Sequence, residues 1–127
     1  DQVAVNDARV LGKPGDRARA LDQLRAAAGR EVLFLTSLCL LDAASGAQWL
    51  EVVPCVVRFR ALDEAQLAAY VDRERPYDCA GSFKVEGLGI ALFESIRTDD
   101  PTALVGLPLI ALTRLLAAAG VEVLDSA

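Results

Sequence analysis

The sequence of 127 residues contains no histidine and no methionine, and aromatic residues make up only 6% of it. Without histidine, the chain cannot by itself form a zinc site with imidazole ligands, or a Ser-His or Cys-His catalytic pair. Its three cysteines, Cys39, Cys55 and Cys79, lie far apart and show no CxxC spacing. This odd number of dispersed thiols favours a reducing compartment over a disulfide-stapled fold.

The chain also lacks long apolar runs and an excess of positive charge. Every apolar run is interrupted well short of the roughly 20 residues that a membrane-spanning helix needs. No basic, apolar, small-residue signal pattern opens the sequence, so we expect a cytoplasmic location and no membrane partner. The net charge of −5 argues against a nucleic-acid polymer as partner. A small phosphorylated ligand remains compatible, because a local cation can oppose the overall charge.

The remaining composition predicts an ordinary globular domain. Hydrophobic residues make up 54% of the chain and charged residues 24%, which is typical of one folded domain covering residues 1–127. Two long apolar segments, 31–41 and 47–60, flank the turn sequence DAASG and predict a long β-hairpin. Because Pro54 cannot donate a backbone hydrogen bond, we expect a bulge or a sheet edge at that residue.

Shorter strands and three helices complete the prediction. A strand is expected to end near residue 5, before a turn at Asn6-Asp7, and another to cover residues 90–96. Asp16 is placed to cap a first helix, and the sequence Asp63-Glu64-Ala65-Gln66 resembles a capping box for a second. The third helix, residues 109–119, is nearly all apolar and is expected to be mostly buried. We therefore predict an α/β fold with a mixed β-sheet, a long hairpin and about three packed helices.

One segment, residues 77–93 with the sequence YDCAGSFKVEGLGIALF, is unusually rich in small residues. Clustered glycines mark tight turns or the close approach of another group. Lys84 and Glu86 stand between these glycines. We interpret the segment as one wall of a nucleotide pocket. Lys84 could be another phosphate or base contact, but on an alternating strand it would point the same way as Glu86, so we interpret it as a salt-bridge partner.

Four short strings then resemble a known family. They are Asp1-Gln2-Val3, Gly12-Lys13-Pro14, CAGSFKVEG at residues 79–87 and VGLPL at residues 105–109. In this order they are similar to the Maf family of nucleoside triphosphate pyrophosphatases, and the resemblance covers the whole chain. It implies the Maf/ITPase-like fold. Family members extend further at the N-terminus, so this chain is expected to hold the C-terminal two-thirds of the fold and to be inactive alone.

The resemblance also implies a reaction, the hydrolysis of the bond between the α- and β-phosphates. Asp1 would be the catalytic base or the ligand of a divalent metal cation, Mg²⁺ or Mn²⁺, and Lys13 would bind phosphate. By residue type alone, Asp1 would more often be a solvated carboxylate and Lys13 a surface lysine.

The residues Gln2 and Glu86 resemble those found at the same places in the subgroup that hydrolyses 7-methyl-GTP. This resemblance implies that Gln2 and Glu86 determine base specificity. A carboxylate can accept hydrogen bonds from guanine and favours the positive charge of an N7-methylated ring. Two alternatives stay open: a dTTP/UTP pyrophosphatase of the same family, and a non-catalytic nucleotide-binding or cell-division regulatory module. The apolar third helix and the long hairpin also offer surface for a homodimer.

Overall fold

A computed structural model describes residues 1–125 as a five-stranded sheet with three helices. The strands are β1 (Gln2–Asn6), β2 (Arg9–Leu11), β3 (Glu31–Leu41), β4 (Gln48–Phe59) and β5 (Phe93–Thr98), and the helices are α1 (Arg17–Ala27), α2 (Glu64–Glu74) and α3 (Leu109–Ala118). The strand order is β2-β1-β3-β4-β5. The α/β class, the long hairpin and the three helices are confirmed. The expected mixed sheet is antiparallel at every strand pair within the described residues.

The long hairpin forms as predicted. β3 and β4 pair without interruption from Glu31 opposite Arg58 to Leu41 opposite Gln48. Pro54 lies in this unbroken register, opposite Leu35, while the pairing of β4 with β5 begins only at Cys55. Pro54 therefore lies where β4 becomes an edge strand. Proline is tolerated at such a position because the sheet does not need its backbone N–H there.

The strand β2 forms where the sequence predicts no strand. It joins β1 through the two-residue turn Asp7-Ala8, in which both residues adopt positive φ, 49° and 63°. Two positive φ values are typical of a tight type I′ hairpin turn, which usually contains glycine or asparagine. Because Ala8 occupies such a position here, the sequence carries no strong hairpin signal.

The first two helices begin where their capping residues predict. The carboxylate of Asp16 accepts a hydrogen bond from the amide of Arg19, and Asp63 forms a complete capping box with Gln66. Both helices pack on one face of the sheet and share its main core. The largest fully buried side chains of that core include Leu24, Val32, Phe34, Val57, Phe59, Leu67 and Val71.

Two predictions of secondary structure and burial are wrong. The expected strand at residues 90–96 begins only at Phe93, because Leu88–Leu92 forms a 3₁₀ helix. The expected burial of α3 is also wrong, since Ala111 is its only buried residue and Ile110 is 50% exposed. The helix is nearly all apolar, but only one narrow face contacts the sheet. No helix within residues 1–125 combines the length and apolarity needed to cross a bilayer.

Candidate functional site

A cavity of about 280 Å³ brings together the four residues that the sequence singles out. Gln2 is the first residue of β1 and Asp1 directly precedes it, Lys13 lies in the loop before α1, and Glu86 lies in the turn before the 3₁₀ helix Leu88–Leu92. The residues that line the cavity are Asp1, Gln2, Lys13, Asp78, Cys79, Ala80, Phe83, Lys84, Val85, Glu86, Leu104 and Val105. Segments that are distant in sequence thus form one concave surface.

Two larger cavities lie elsewhere on the molecule. One of about 400 Å³ separates β4 from α3, and one of about 420 Å³ lies beside α1. Neither contains any of the four predicted residues. The cavity with Asp1, Gln2, Lys13 and Glu86 is therefore distinguished by the chemistry of its side chains and not by its volume.

Gln2 is held in one orientation by the structure behind it. Its Nε2 donates hydrogen bonds to Thr36 Oγ1 at 3.0 Å and to the carbonyl oxygen of Ala103 at 3.1 Å. The hydroxyl of Thr36, which is buried, donates to the same carbonyl at 3.1 Å. Because the amide NH₂ is used in this way, the oxygen Oε1 of Gln2 is left as a hydrogen-bond acceptor.

Asp1 lies beside Gln2 with an exposed carboxylate. Its Oδ1 accepts a hydrogen bond from the backbone amide of Gln2 at 2.9 Å, and its own carbonyl oxygen accepts one from Ser37 at 2.7 Å. Its second oxygen, Oδ2, has no hydrogen-bond partner within residues 1–125. Asp1 can therefore present one free carboxylate oxygen to a ligand in the cavity.

The loop that carries Lys13 is tied to the glycine-rich segment. The carbonyl oxygen of Gly12 accepts hydrogen bonds from the amide of Gly81 at 3.3 Å and from Gln23 Nε2 at 3.0 Å. The other end of the same side chain, Gln23 Oε1, accepts a hydrogen bond of 2.5 Å from Ser82 Oγ. Gln23 thus bridges two walls of the cavity, a role for which the sequence carries no signal.

The glycine at position 81 is required by a close approach. It adopts φ of +69°, and a Cβ built on it would lie 3.1 Å from the Cβ of Ala4 and 3.4 Å from the ring of Phe34. A side chain here would strain the backbone and crowd the core beneath the cavity. The wall therefore lies directly on β1 and β3.

The turn that follows positions Lys84 and Glu86. The hydroxyl of Tyr70 donates to the carbonyl oxygen of Ser82 at 3.1 Å and accepts from the amide of Lys84 at 3.2 Å. Burial raises the pKa of Tyr70 well above its usual value, so this hydroxyl keeps its proton. The carbonyl oxygen of Lys84 accepts hydrogen bonds from the amides of Gly87 and Gly89.

The interpretation of Lys84 as a salt-bridge partner is wrong. Its segment is a turn and not an alternating strand, and Lys84 forms no ion pair with any residue in the described part of the chain. The side chain instead lines the cavity together with Glu86.

Cys79 also lines the cavity, as a thiol of low reactivity. Burial raises its pKa, and the neighbouring carboxylate of Asp78 raises it further. Because the thiolate is the reactive form, this environment disfavours reaction of the Cys79 thiol.

The cavity can supply part of a metal site. No group of three or more Asp, Glu or Cys side chains within residues 1–125 is placed to hold a metal ion. Mg²⁺, however, is usually bound by one or two carboxylates together with water and substrate phosphates. The free oxygen of Asp1 fits one such ligand position, which a bound polyphosphate would have to complete.

Comparison with known proteins places this geometry in context. A family model described as "Maf-like protein" matches residues 1–119. A protein of Burkholderia pseudomallei (strain 1710b) named 7-methyl-GTP pyrophosphatase is 60% identical over 120 residues, which cover 94% of this chain and 56% of that protein. Proteins of the same name from Alcanivorax borkumensis and Pseudomonas aeruginosa are 57% and 54% identical, over 62% and 64% of their own lengths. The chain thus spans somewhat more than half the length of these curated relatives.

Proposed function

The chain belongs to the Maf-like protein family, and we propose that it forms the base-reading and phosphate-facing wall of a cytoplasmic pyrophosphatase acting on 7-methyl-GTP. The convergence of Asp1, Gln2, Lys13 and Glu86 on one cavity carries this proposal. The similarity to proteins named 7-methyl-GTP pyrophosphatase supports the choice of substrate.

The proposed reaction is the attack of water on the α-phosphorus of the nucleotide. A new bond forms between the water oxygen and phosphorus, and the bond from this phosphorus to the oxygen that bridges to the β-phosphate breaks. That oxygen leaves with pyrophosphate, and 7-methyl-GMP is the other product. Asp1 would accept a proton from the water, or would instead hold a divalent cation. Such a cation, Mg²⁺ or Mn²⁺, would neutralise charge on the phosphates when bound.

Lys13 is the proposed phosphate ligand. It is exposed, lines the cavity and forms no ion pair within the described residues. An ammonium group that is not neutralised by a carboxylate is available to the charged oxygens of a phosphate. The hydrogen bonds to Gly12 hold its loop against the glycine-rich segment.

Gln2 and Glu86 are the proposed readers of the base. Both line the cavity, and both can present acceptor oxygens. Guanine offers matching donors, its N1–H and its amino group, and methylation at N7 adds a positive charge that a carboxylate favours. Uracil and thymine present carbonyl oxygens on either side of one N–H, so a carboxylate would meet two acceptors. The acceptor character of this wall therefore favours a methylated guanine.

The cavity of about 280 Å³ is small for a whole nucleotide. Ligand pockets usually have volumes of roughly 300–1,000 Å³, so this one accommodates part of a nucleoside triphosphate. Turnover is accordingly proposed for the full-length protein, and the described residues are proposed to supply one wall.

A nucleotide panel tests the proposal. Release of pyrophosphate by the full-length protein, with Mg²⁺ or Mn²⁺, is measured for 7-methyl-GTP, GTP, dTTP and UTP, and the largest kcat/KM is expected for 7-methyl-GTP. Faster release from dTTP or UTP would support the pyrimidine alternative instead. Calorimetric binding of nucleotide without any release of pyrophosphate would favour the non-catalytic module.

A homodimer is a further proposal, supported by the exposed apolar side chains of the hairpin and of α3. Leu50 on β4 is 72% exposed and Ile110 on α3 is 50% exposed. Light scattering on the full-length protein tests this proposal, since a monomeric mass at micromolar concentration would contradict it.

A further inference from the structure

The sequence contains two lysines, Lys13 and Lys84, and both line the same cavity. Most of the arginines form ion pairs, such as Arg17 with Asp72 at 2.7 Å, whereas neither lysine has a carboxylate within ion-pair distance in the described part of the chain. In a protein with 18 acidic and 13 basic residues, carboxylate partners are plentiful. Two unpaired ammonium groups in one cavity therefore point to an anionic ligand.

The backbone of Lys84 is held more firmly than an ordinary surface lysine requires. Its amide donates to the hydroxyl of Tyr70 at 3.2 Å, and its carbonyl oxygen accepts from Gly87 at 3.2 Å and from Gly89 at 3.0 Å. A Cβ on Gly89 would lie 2.2 Å from that same oxygen, so the turn closes tightly around Lys84. The Cα of Lys84 is thus fixed, and only its side chain has to be ordered when a ligand binds.

The chemistry favours phosphate over the base as the partner of Lys84. An ammonium group has three donors and no acceptor, and a 7-methylated guanine carries a positive charge that would repel it. Gln2 and Glu86 are the proposed acceptors for the donors of the base. Phosphate oxygens, in contrast, attract a compact positive charge on a flexible stem.

We propose that Lys84 is a second phosphate-binding cation, which acts with Lys13 on the polyphosphate of the substrate. This proposal rests on the proposed function, since it assigns a ligand group within the same site. It extends that function by Lys84, a residue that the sequence pattern favours as a salt-bridge partner.

The test compares three variants of the full-length protein. Lys84→Met removes the charge and keeps an apolar stem, whereas Lys84→Arg keeps the charge. The control, Arg73→Gln, removes an exposed charge on α2. Arg73 lies outside the cavity and forms no ion pair within the described residues. The dissociation constant of inorganic pyrophosphate is measured by calorimetry at low and high salt. KM and kcat for 7-methyl-GTP are measured in parallel, and urea unfolding verifies that each variant is folded.

Loss of a charge-assisted hydrogen bond is expected to weaken pyrophosphate binding by Lys84→Met about ten- to hundredfold. Lys84→Arg should retain most of the affinity, and Arg73→Gln all of it. The salt dependence of binding should decrease only in Lys84→Met, because this variant has one fewer charged contact with phosphate for salt to screen.

The proposal would be overturned if Lys84→Met bound pyrophosphate as tightly as the unmodified protein. It would also be overturned if Arg73→Gln lost as much pyrophosphate affinity as Lys84→Met. An unmodified protein that does not bind pyrophosphate at all would also overturn it. If the protein binds pyrophosphate but hydrolyses no nucleotide, the proposed function fails, while the binding comparison still decides the role of Lys84.

Discussion

The backbone amide of Gly89 donates a hydrogen bond of 3.0 Å to the carbonyl oxygen of Lys84, and this contact leaves no space for a side chain at position 89. A Cβ built there would lie 2.2 Å from that oxygen and 2.9 Å from the amide nitrogen of Lys84. The neighbouring atoms belong to the backbone and cannot rotate away. Glycine at position 89 is therefore required by packing, and it determines where Lys84 lies.

The substitution Gly89→Ala is expected to displace this turn. We predict a loss of about 1–3 kcal/mol in the free energy of unfolding, measured by urea denaturation, because overpacking forces the backbone to shift. Pyrophosphate binding should weaken as Lys84 moves. Gly12→Ala is the matched control, since a Cβ at position 12 meets no atom within 4 Å. Equal stabilities of the two variants would contradict the prediction.

Asp1→Asn is expected to abolish turnover without preventing binding. A general base or a metal-binding carboxylate contributes about 10²–10⁴-fold to a rate, so kcat for 7-methyl-GTP in the full-length protein should fall by at least about a hundredfold. The dissociation constant of the nucleotide without metal should change little. Asp78→Asn removes another carboxylate of the same cavity and should retain activity. A larger loss in Asp78→Asn would transfer the proposed role to Asp78.

Glu86→Gln tests the reading of the base. The amide keeps one acceptor oxygen but loses the negative charge, so kcat/KM for 7-methyl-GTP should fall about tenfold more than kcat/KM for dTTP. Stability should be nearly unchanged, because Glu86 is exposed. Glu94→Gln, an exposed carboxylate on β5 that lies outside the cavity, is the control. An equal loss on both nucleotides would show that Glu86 does not select the base.

Asp100 is expected to make stability dependent on acid pH. The residue is buried, and burial disfavours its charge, but hydrogen bonds from the hydroxyl and amide of Thr102 and from the amides of Ala111 and Ile110 outweigh this effect and lower its pKa. Because the folded pKa lies below the unfolded value of about 3.9, ionised Asp100 stabilises the fold above that pH. This contribution is lost as the pH falls from about 4 through the folded pKa.

Asp100→Asn should therefore lower the free energy of unfolding by about 1–2 kcal/mol at pH 7, with a smaller difference below pH 4. Urea denaturation between pH 3 and pH 7 measures the effect, and the exposed neighbour Asp99→Asn is the control. A difference that stays constant over this pH range would show that the charge of Asp100 is not the stabilising feature.

Features set by neighbouring residues were predictable from the sequence. The carboxylate of Asp16 and the capping box of Asp63 and Gln66 act within one helical turn, so their signals are local. The long hairpin follows from two apolar segments around one turn sequence, and its register is continuous as a result. The extent of α3 is nearly correct for the same reason, whereas its burial is not.

The sequence by itself determined most of the helices and strands, the absence of histidine chemistry and, through four short strings, the family and the candidates Asp1, Gln2, Lys13 and Glu86. Only the tertiary structure decided that these four line one cavity, that Gln2 is oriented by Thr36 and Ala103, and that Lys84 lacks an ion pair. The physical reason is distance along the chain. Capping and strand formation depend on adjacent residues, whereas burial, ion pairing and the closing of a cavity depend on segments that meet only when the sheet and helices pack.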